Sequence, residues 1–331
     1  MFGLLVLSNC GVKNHDIFPS PQRFVVHWYF SLANAVAGTS GLEPSPLMPE
    51  RIEQPYAGIN DEVTLRGAAE LSKVFAQSGY KLETVRQGSS VPELYVINLP
   101  DDLNQQPVES KINDFVRLLL PNVLAVNQQI LKVRQSLMSM AKRPTESLTA
   151  KETVWLQGLA NDYGLKERDV KSGESKAVDI KLLLQHIDVI PTGMVLAQGI
   201  DESGWGTSRF AIQGNALYGE HLPQSGGKYL TTPGGHVKVA AFDSLYQGTA
   251  AYIYNLNSSS AYYGLWQLRQ QLRVQGKPVT GYELVGALVD YSVRGQAYVD
   301  NLRSLIEHHH LDSYDSVELT PELGRKRIKF N

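Results

Sequence analysis

The stretch Asp188–His221, DVIPTGMVLAQGIDESGWGTSRFAIQGNALYGEH, decides how the rest of the chain is read. It opens as an apolar helix, breaks at Glu-Ser-Gly-Trp-Gly, and turns into Gly-Asn-Ala-Leu-Tyr-Gly. Pro191 suits the first turn of a helix, where its missing N–H costs nothing. Met194, Leu196, Ala197 and Ile200 supply apolar surface for a core. Val195, Gln198 and Glu202 recur at spacings of three and four, so they share a face. Gly204 and Gly206 end the helix, because glycine takes the left-handed conformation most easily. Glu202 is left in the last turn, near the negative end of the helix dipole, where a carboxylate is disfavoured. Trp205, three residues on, is expected to exclude water from one side. Both effects raise a carboxyl pKa, as a general acid needs. A Glu at a helix end is more often a solvated surface group. Two glycines around a tryptophan set this one apart, because they let a backbone approach something flat. Asp201 points about 100° away around the helix and is not a natural partner for Glu202.

Ala197–Gly219 (AQGIDESGWGTSRFAIQGNALYG) closely resembles the glutamate motif of the glucosaminidase superfamily, glycoside hydrolase family 73. Residues 111–135, 188–219, 252–276 and 291–302 together resemble the Bax-type branch of bacterial envelope glucosaminidases. The resemblance implies a mainly α, α+β fold: a lysozyme-like helical lobe with a small β-hairpin lobe. It makes Glu202 the acid. It implies a functional tyrosine near the C-terminus, matched by Tyr298 in GQAYVDNL, whose phenol can bond an acetamido group or steady developing charge. Asn215, by similarity, holds the loop after Glu202 or touches the sugar.

Glycoside hydrolysis normally uses two carboxyls. In many family members the second comes from the hairpin lobe, but Gly226–Ala241 contains no Asp or Glu here. The nearest candidates are Glu220 before it and Asp243 after it. Assistance by the substrate's N-acetyl group, or water activated in another way, are the alternatives. Trp205, Tyr218, Tyr262, Tyr263, Trp266, Tyr291 and Tyr298 are candidates to line a sugar cleft, since aromatic planes pack on the C–H faces of pyranoses. About half of them are expected in the core. Of these, Trp205, Tyr218, Tyr262 and Tyr291, with Asn215, are the expected substrate-binding residues.

The 331 residues carry 31 basic and 33 acidic side chains, 43% hydrophobic and 19% charged. That is a globular composition with no basic field for nucleic acid and no polybasic membrane patch. One cysteine, Cys10, excludes an intrachain disulfide framework and a multi-cysteine metal site. His308, His309 and His310 diverge around a helix and do not readily share one metal. No metal or cofactor is expected.

Along the chain, residues 1–37 read as an export signal. The apolar run Phe24–Ala37 follows Lys13 and Arg23 and ends in Ala35-Val36-Ala37. It is too short for a comfortable membrane span, so the protein is not expected to be integral to the membrane. Leu4–Cys10 faintly resembles a lipoprotein box, with Asn9 out of pattern, and lipid anchoring there is disfavoured. A periplasmic or envelope location follows. Residues 38–60, rich in Pro and Gly, read as a linker. Residues 61–108 read as a small α/β appendage: a helix over 61–77 capped by Asn60 or Asp61, then strands at 80–85 and 94–99. Residues 109–312 are the catalytic domain, with Pro121 expected to kink or divide its first helix and Thr149 and Glu152 forming a capping box. A hairpin is expected from 228–231 and 236–240. His186 reads as a satisfied core or surface histidine. Residues 313–331 are polar and basic and read as a flexible tail.

The expected function is cleavage of the β-1,4 link after N-acetylglucosamine in peptidoglycan. Two alternatives stand beside it: a lytic transglycosylase that uses one Glu as acid and base, and a wall-binding scaffold that has lost catalysis.

Overall fold

The computed structural model describes residues 46–165, 178–222, 226–235 and 237–331. The segment read as an export signal, with Cys10, lies outside them.

The chain enters on apolar anchors. Leu47, Met48, Ile52 and Tyr56 are all buried, and Tyr56 donates to Ser244 Oγ at 2.9 Å. The described part of the expected linker is therefore packed into the core, because its few large apolar side chains are spaced to reach it. Strand β1 (Glu62–Leu65) follows, where the start of a helix was expected. Helix α1 runs Ala68–Gln77. The predicted strand at 80–85 is instead a short helix, α2 (Leu82–Arg86). Strand β2 (Val91–Val96) begins and ends three residues before the strand expected at 94–99.

Helix α3 (Val108–Met140) is assigned without a break through Pro121. Proline removes one N–H, but Pro121 is buried between apolar turns, and packing outweighs the lost bond. Helix α4 (Ala150–Asp162) starts at the expected capping box: Thr149 N–H donates to Glu152 Oε2 at 2.8 Å, and Glu152 N–H donates to Thr149 Oγ1 at 3.3 Å. Helix α5 (Ile180–His186) leads into α6 (Thr192–Ser203), then α7 (Arg209–Gly214). Strands β3 (Tyr229–Thr231) and β4 (Lys238–Ala240) pair antiparallel as the expected hairpin. Helices α8 (Leu245–Ser258), α9 (Tyr263–Val274), α10 (Gly281–Leu284) and α11 (Gln296–His309) complete the helical lobe. Helix α6 is its axis, packed by α3, α10, α11 and the turn at Leu311–Tyr314.

The C-terminal segment overturns its reading as a flexible tail. Leu319–Phe330 forms β5, the middle strand of a three-stranded sheet ordered β1-β5-β2 and parallel to both neighbours. Pro321 and Gly324 look like strand breakers. The register jumps from Pro92↔Thr320 to Glu93↔Arg325, so residues 321–324 bulge out of the ladder. The basic residues that suggested solvation are paired across the sheet: Arg325 with Glu93 at 2.6 Å, Arg327 with Glu62 at 3.2 Å, Lys329 with Glu62 at 2.5 Å and Lys326 with Asp61. Ile328 and Phe330 are buried. The sheet rests on α3, and the apolar residues of sheet and helices form one continuous cluster. Among the described residues no helix is long and apolar enough to cross a membrane.

Candidate active site

Helix α6 delivers Glu202 at its C-terminal end, as its sequence requires. Gly204, Trp205 and Gly206 have φ of 58°, 60° and 72°, three left-handed residues in a row. Ser203 locks the turn by donating to Gly199 O at 2.5 Å and accepting from Gly206 N–H at 2.7 Å. The flat object that Gly206 approaches is the Phe115 ring of α3: a Cβ there would sit 2.8 Å from Phe115 Cε2.

The Trp205 ring packs edge-on against Phe115, with centroids 6.0 Å apart, and against His309 at 4.9 Å. It wedges α6 against α3 and α11. The aromatic wall recorded beside Glu202 is made of tyrosines. Tyr298 of α11, fully buried, donates to Glu202 Oε1 at 2.9 Å. Tyr291 stacks on Tyr298, with centroids 5.5 Å apart and planes 7° from parallel. Tyr262 lies 6.3 Å from Tyr291. Glu202 Oε2 faces exposed Gly219, where a Cβ would lie 3.7 Å away. Burial is the main reason the Glu202 carboxyl is pushed up to about 7. Asp201 adds to the rise, while the Tyr298 bond and the Arg294 charge oppose it. A carboxyl so placed holds a proton near neutrality.

Glu220 is the second carboxyl brought to this wall. It is 8% exposed, neither carboxyl oxygen has a hydrogen-bond partner among the described residues, and burial pushes it up to about 8. Tyr262 and Tyr291 feel the charge of both glutamates. Its main chain is fixed by Ala240 N–H donating to Glu220 O at 2.8 Å, which ties it to β4. Asp243, the other expected partner, is not brought here. Its side chain is 63% exposed and paired with Lys228 across the base of the hairpin.

The remaining expected residues divide between wall and scaffold. Tyr218 is a core residue, stacked on Tyr252 at 4.0 Å with its hydroxyl 3.3 Å from Thr249 Oγ1. Its carbonyl accepts from Tyr291 OH at 3.1 Å. Asn215 sits at φ 51° at the end of α7 and donates to Phe242 O at 3.0 Å, so it holds the hairpin's exit. Trp266 is buried and donates to Leu256 O at 2.8 Å, whereas Tyr263 is exposed. His186 is buried, its Nδ1 3.0 Å from Asn257 O, and burial lowers it to about 4.

Sequence reasoning missed Arg294. Its guanidinium lies 4.5 Å over the Tyr298 ring and pairs with Asp201. Asn301 donates to the same Asp201 at 2.7 Å, so the aspartate beside Glu202 ties α6 to α11. Only the loop position of Arg294, between two helices, hinted at this. At the other end of α6, Asp315 accepts from Gly193 N–H at 2.7 Å and Gly281 N–H at 3.1 Å. A cavity of about 420 Å³ lies there, lined in part by Thr192, Arg273 and Asp315, away from Glu202.

Residues 178–311 match the glucosaminidase family, described as mannosyl-glycoprotein endo-beta-N-acetylglucosaminidase. The chain is 30% identical over 210 residues to the Protein bax of Escherichia coli K12, covering 63% of this chain and 74% of that protein. It is also similar, at 17% identity and a TM-score of 0.30, to the catalytic domain of the autolysin Auto from Listeria monocytogenes, covering 56% of this chain and 97% of that one.

Proposed function

Because this chain belongs to the glucosaminidase family, in its Bax-type branch, we propose that it is a peptidoglycan hydrolase. In this reading it is an endo-β-N-acetylglucosaminidase that cuts the β-1,4 bond after N-acetylglucosamine. One observation carries the reading: Glu202, pushed up to about 7, is held by Tyr298 beside a wall of tyrosines with its second oxygen turned toward exposed Gly219.

Glu202 gives its proton to the glycosidic oxygen as the C1–O bond breaks, and the leaving sugar keeps the bond's electron pair. The acetamido oxygen of the N-acetylglucosamine that retains C1 closes on that carbon and shares the positive charge. Glu202, now a carboxylate, takes a proton from water, and the resulting hydroxide adds to C1 and reopens the ring. Glu220, pushed up to about 8 by burial and with both carboxyl oxygens buried, is poorly suited to act as the base. Tyr291, half-buried, offers a ring face to the sugar, and buried Tyr262 backs it.

With Glu220 pushed up to about 8, no second carboxyl among the described residues of this wall is suited to be ionised near neutrality, which also favours the transglycosylase reading, in which the sugar's own C6 hydroxyl replaces water. The test is mass spectrometry of the products of digested sacculi. Reducing N-acetylglucosamine ends support the hydrolase, and 1,6-anhydro-muramyl ends replace it with the transglycosylase. No solubilisation of sacculi leaves the wall-binding scaffold. Action on peptidoglycan would require a periplasmic or cell-envelope location, a reading supported by the apolar run and small-residue site in residues 1–37.

A further inference from the structure

Helix α6 presents Gln198 one turn before Glu202, on the same face. Gln198 is fully buried and takes no part in the chemistry above. It stands between two phenols. Tyr252, from α8, donates to Gln198 Oε1. Gln198 Nε2 donates to Tyr298 OH at 2.9 Å. Tyr298 in turn donates to Glu202 Oε1 at 2.9 Å. Four side chains from three helices thus form one file of hydrogen bonds, every one pointing toward the carboxyl.

The direction of the file is fixed at its far end. Tyr252 is fully buried and stacked on Tyr218, and among the described residues its hydroxyl bonds to Gln198. If the Gln198 amide were turned over, its NH₂ would point at the Tyr252 oxygen. The Tyr252 hydrogen would then be buried with no acceptor, the arrangement proteins avoid most consistently. With the amide as it stands, its NH₂ occupies the Tyr298 oxygen, and the Tyr298 hydrogen has to go to Glu202 Oε1. An oxygen already accepting that bond is the poorer place for the acid's own hydrogen, which is left to Oε2, the oxygen facing Gly219.

We propose that Gln198 and Tyr252 are positioning residues which, acting through Tyr298, fix the acidic hydrogen of Glu202 on Oε2. The proposal rests on Glu202 as the acid but is decided separately from it. It also distinguishes the two phenols in contact with Gln198: Tyr298 touches the acid, while Tyr252 acts from one helix further away.

The experiment is carried out on the full chain with ¹³C-labelled Glu side-chain carboxyls. The Glu202 signal is assigned by its loss in Glu202→Gln and followed through pH. The groups around Glu202, namely Asp201, Glu220, Arg294, Tyr262, Tyr291 and Tyr298, are left unchanged. In Tyr252→Phe the amide is free to turn over, Tyr298 can donate to Gln198, and the Tyr298 oxygen can accept from protonated Glu202. In Gln198→Met the Tyr298 oxygen loses its donor, with the same consequence. Both variants stabilise the protonated acid, so the Glu202 titration should move up by on the order of half a unit to one unit. A solubilisation profile on sacculi should move its basic limb with it. A role limited to packing would lower stability or rate and leave the titration where it is. Near-UV circular dichroism confirms the fold, and if one variant fails to fold the other decides. A Glu202 titration unmoved in a folded variant overturns the proposal. Full activity in Glu202→Gln would instead overturn the catalytic reading, while the titration still decides the relay.

Discussion

The hydroxyl of Tyr298 and the carboxyl of Glu202 lie 2.9 Å apart across 96 residues of sequence. They hang from different helices, α11 and α6, whose relative placement is secured twice over. Arg294 and Asn301 hold Asp201 on one side of Glu202, and Trp205 wedges against His309 on the other. An acid that must stay un-ionised near neutrality therefore depends on the docking of two helices.

Replacing Glu202 with Gln keeps the shape and still offers an acceptor to Tyr298, but removes the proton. Solubilisation of sacculi is expected to fall by at least about 100-fold, the scale of a general-acid contribution. Clearing in a zymogram by this variant, equal to wild type at matched amounts, would refute its role.

The pH dependence follows from the same shift. The acid works only when protonated, and Glu202 is pushed up to about 7, so the rate at limiting substrate should fall as pH rises through about 7. An activity still rising between pH 7 and 8 would contradict this.

Stability should show the opposite face of that strain. The folded pKa of Glu202 is raised above its unfolded value, so its contribution is fully favourable below about pH 4 and is lost as pH rises toward 7. Glu202→Gln should therefore raise stability above pH 7, by an amount that solvent screening keeps below roughly 3 kcal/mol, with no gain near pH 4. Urea melts at pH 4 and pH 8 make the comparison, and an equal effect at both would remove burial as the cause.

Gly206→Ala is expected to be among the more damaging single-methyl additions. The new Cβ would stand 2.8 Å from the Phe115 ring at a φ of 72°, so overpacking adds to backbone strain, for about 2–4 kcal/mol. Gly204→Ala meets nothing closer than Thr207 Oγ1 at 3.6 Å and should cost about 1 kcal/mol, from its conformation alone. Thermal melts showing equal losses would argue against the close approach to Phe115.

Removing residues 319–331 should abolish folding rather than trim a tail. It takes the middle strand from the sheet and leaves Leu94 and Val96, both fully buried, without their neighbour. Ile328→Ala is the milder test, with an expected loss of about 2–4 kcal/mol. A truncated chain that melts like the full one would refute the structural role of β5.

What the sequence determined by itself was local. The run from Pro191 through Gly206 specifies a helix, its stop and the position of Glu202, because periodicity, a first-turn proline and left-handed glycines act within a few residues. The Thr149–Glu152 capping box and the hairpin at 229–240 were legible for the same reason. What only the tertiary structure decided was long-range. The basic segment 319–330 reads as solvated until Asp61, Glu62 and Glu93 are laid beside it. Tyr218 reads as a sugar platform until Tyr252 stacks on it in the core, while half-buried Trp205 is also used to pack against Phe115 and His309. Glu220 and Asp243 stand equal in the sequence, and they part only because the chain turns one into the tyrosine wall and leaves the other in water. Burial and pairing belong to the partner as much as to the residue, and a partner a hundred residues away leaves no mark on the local pattern.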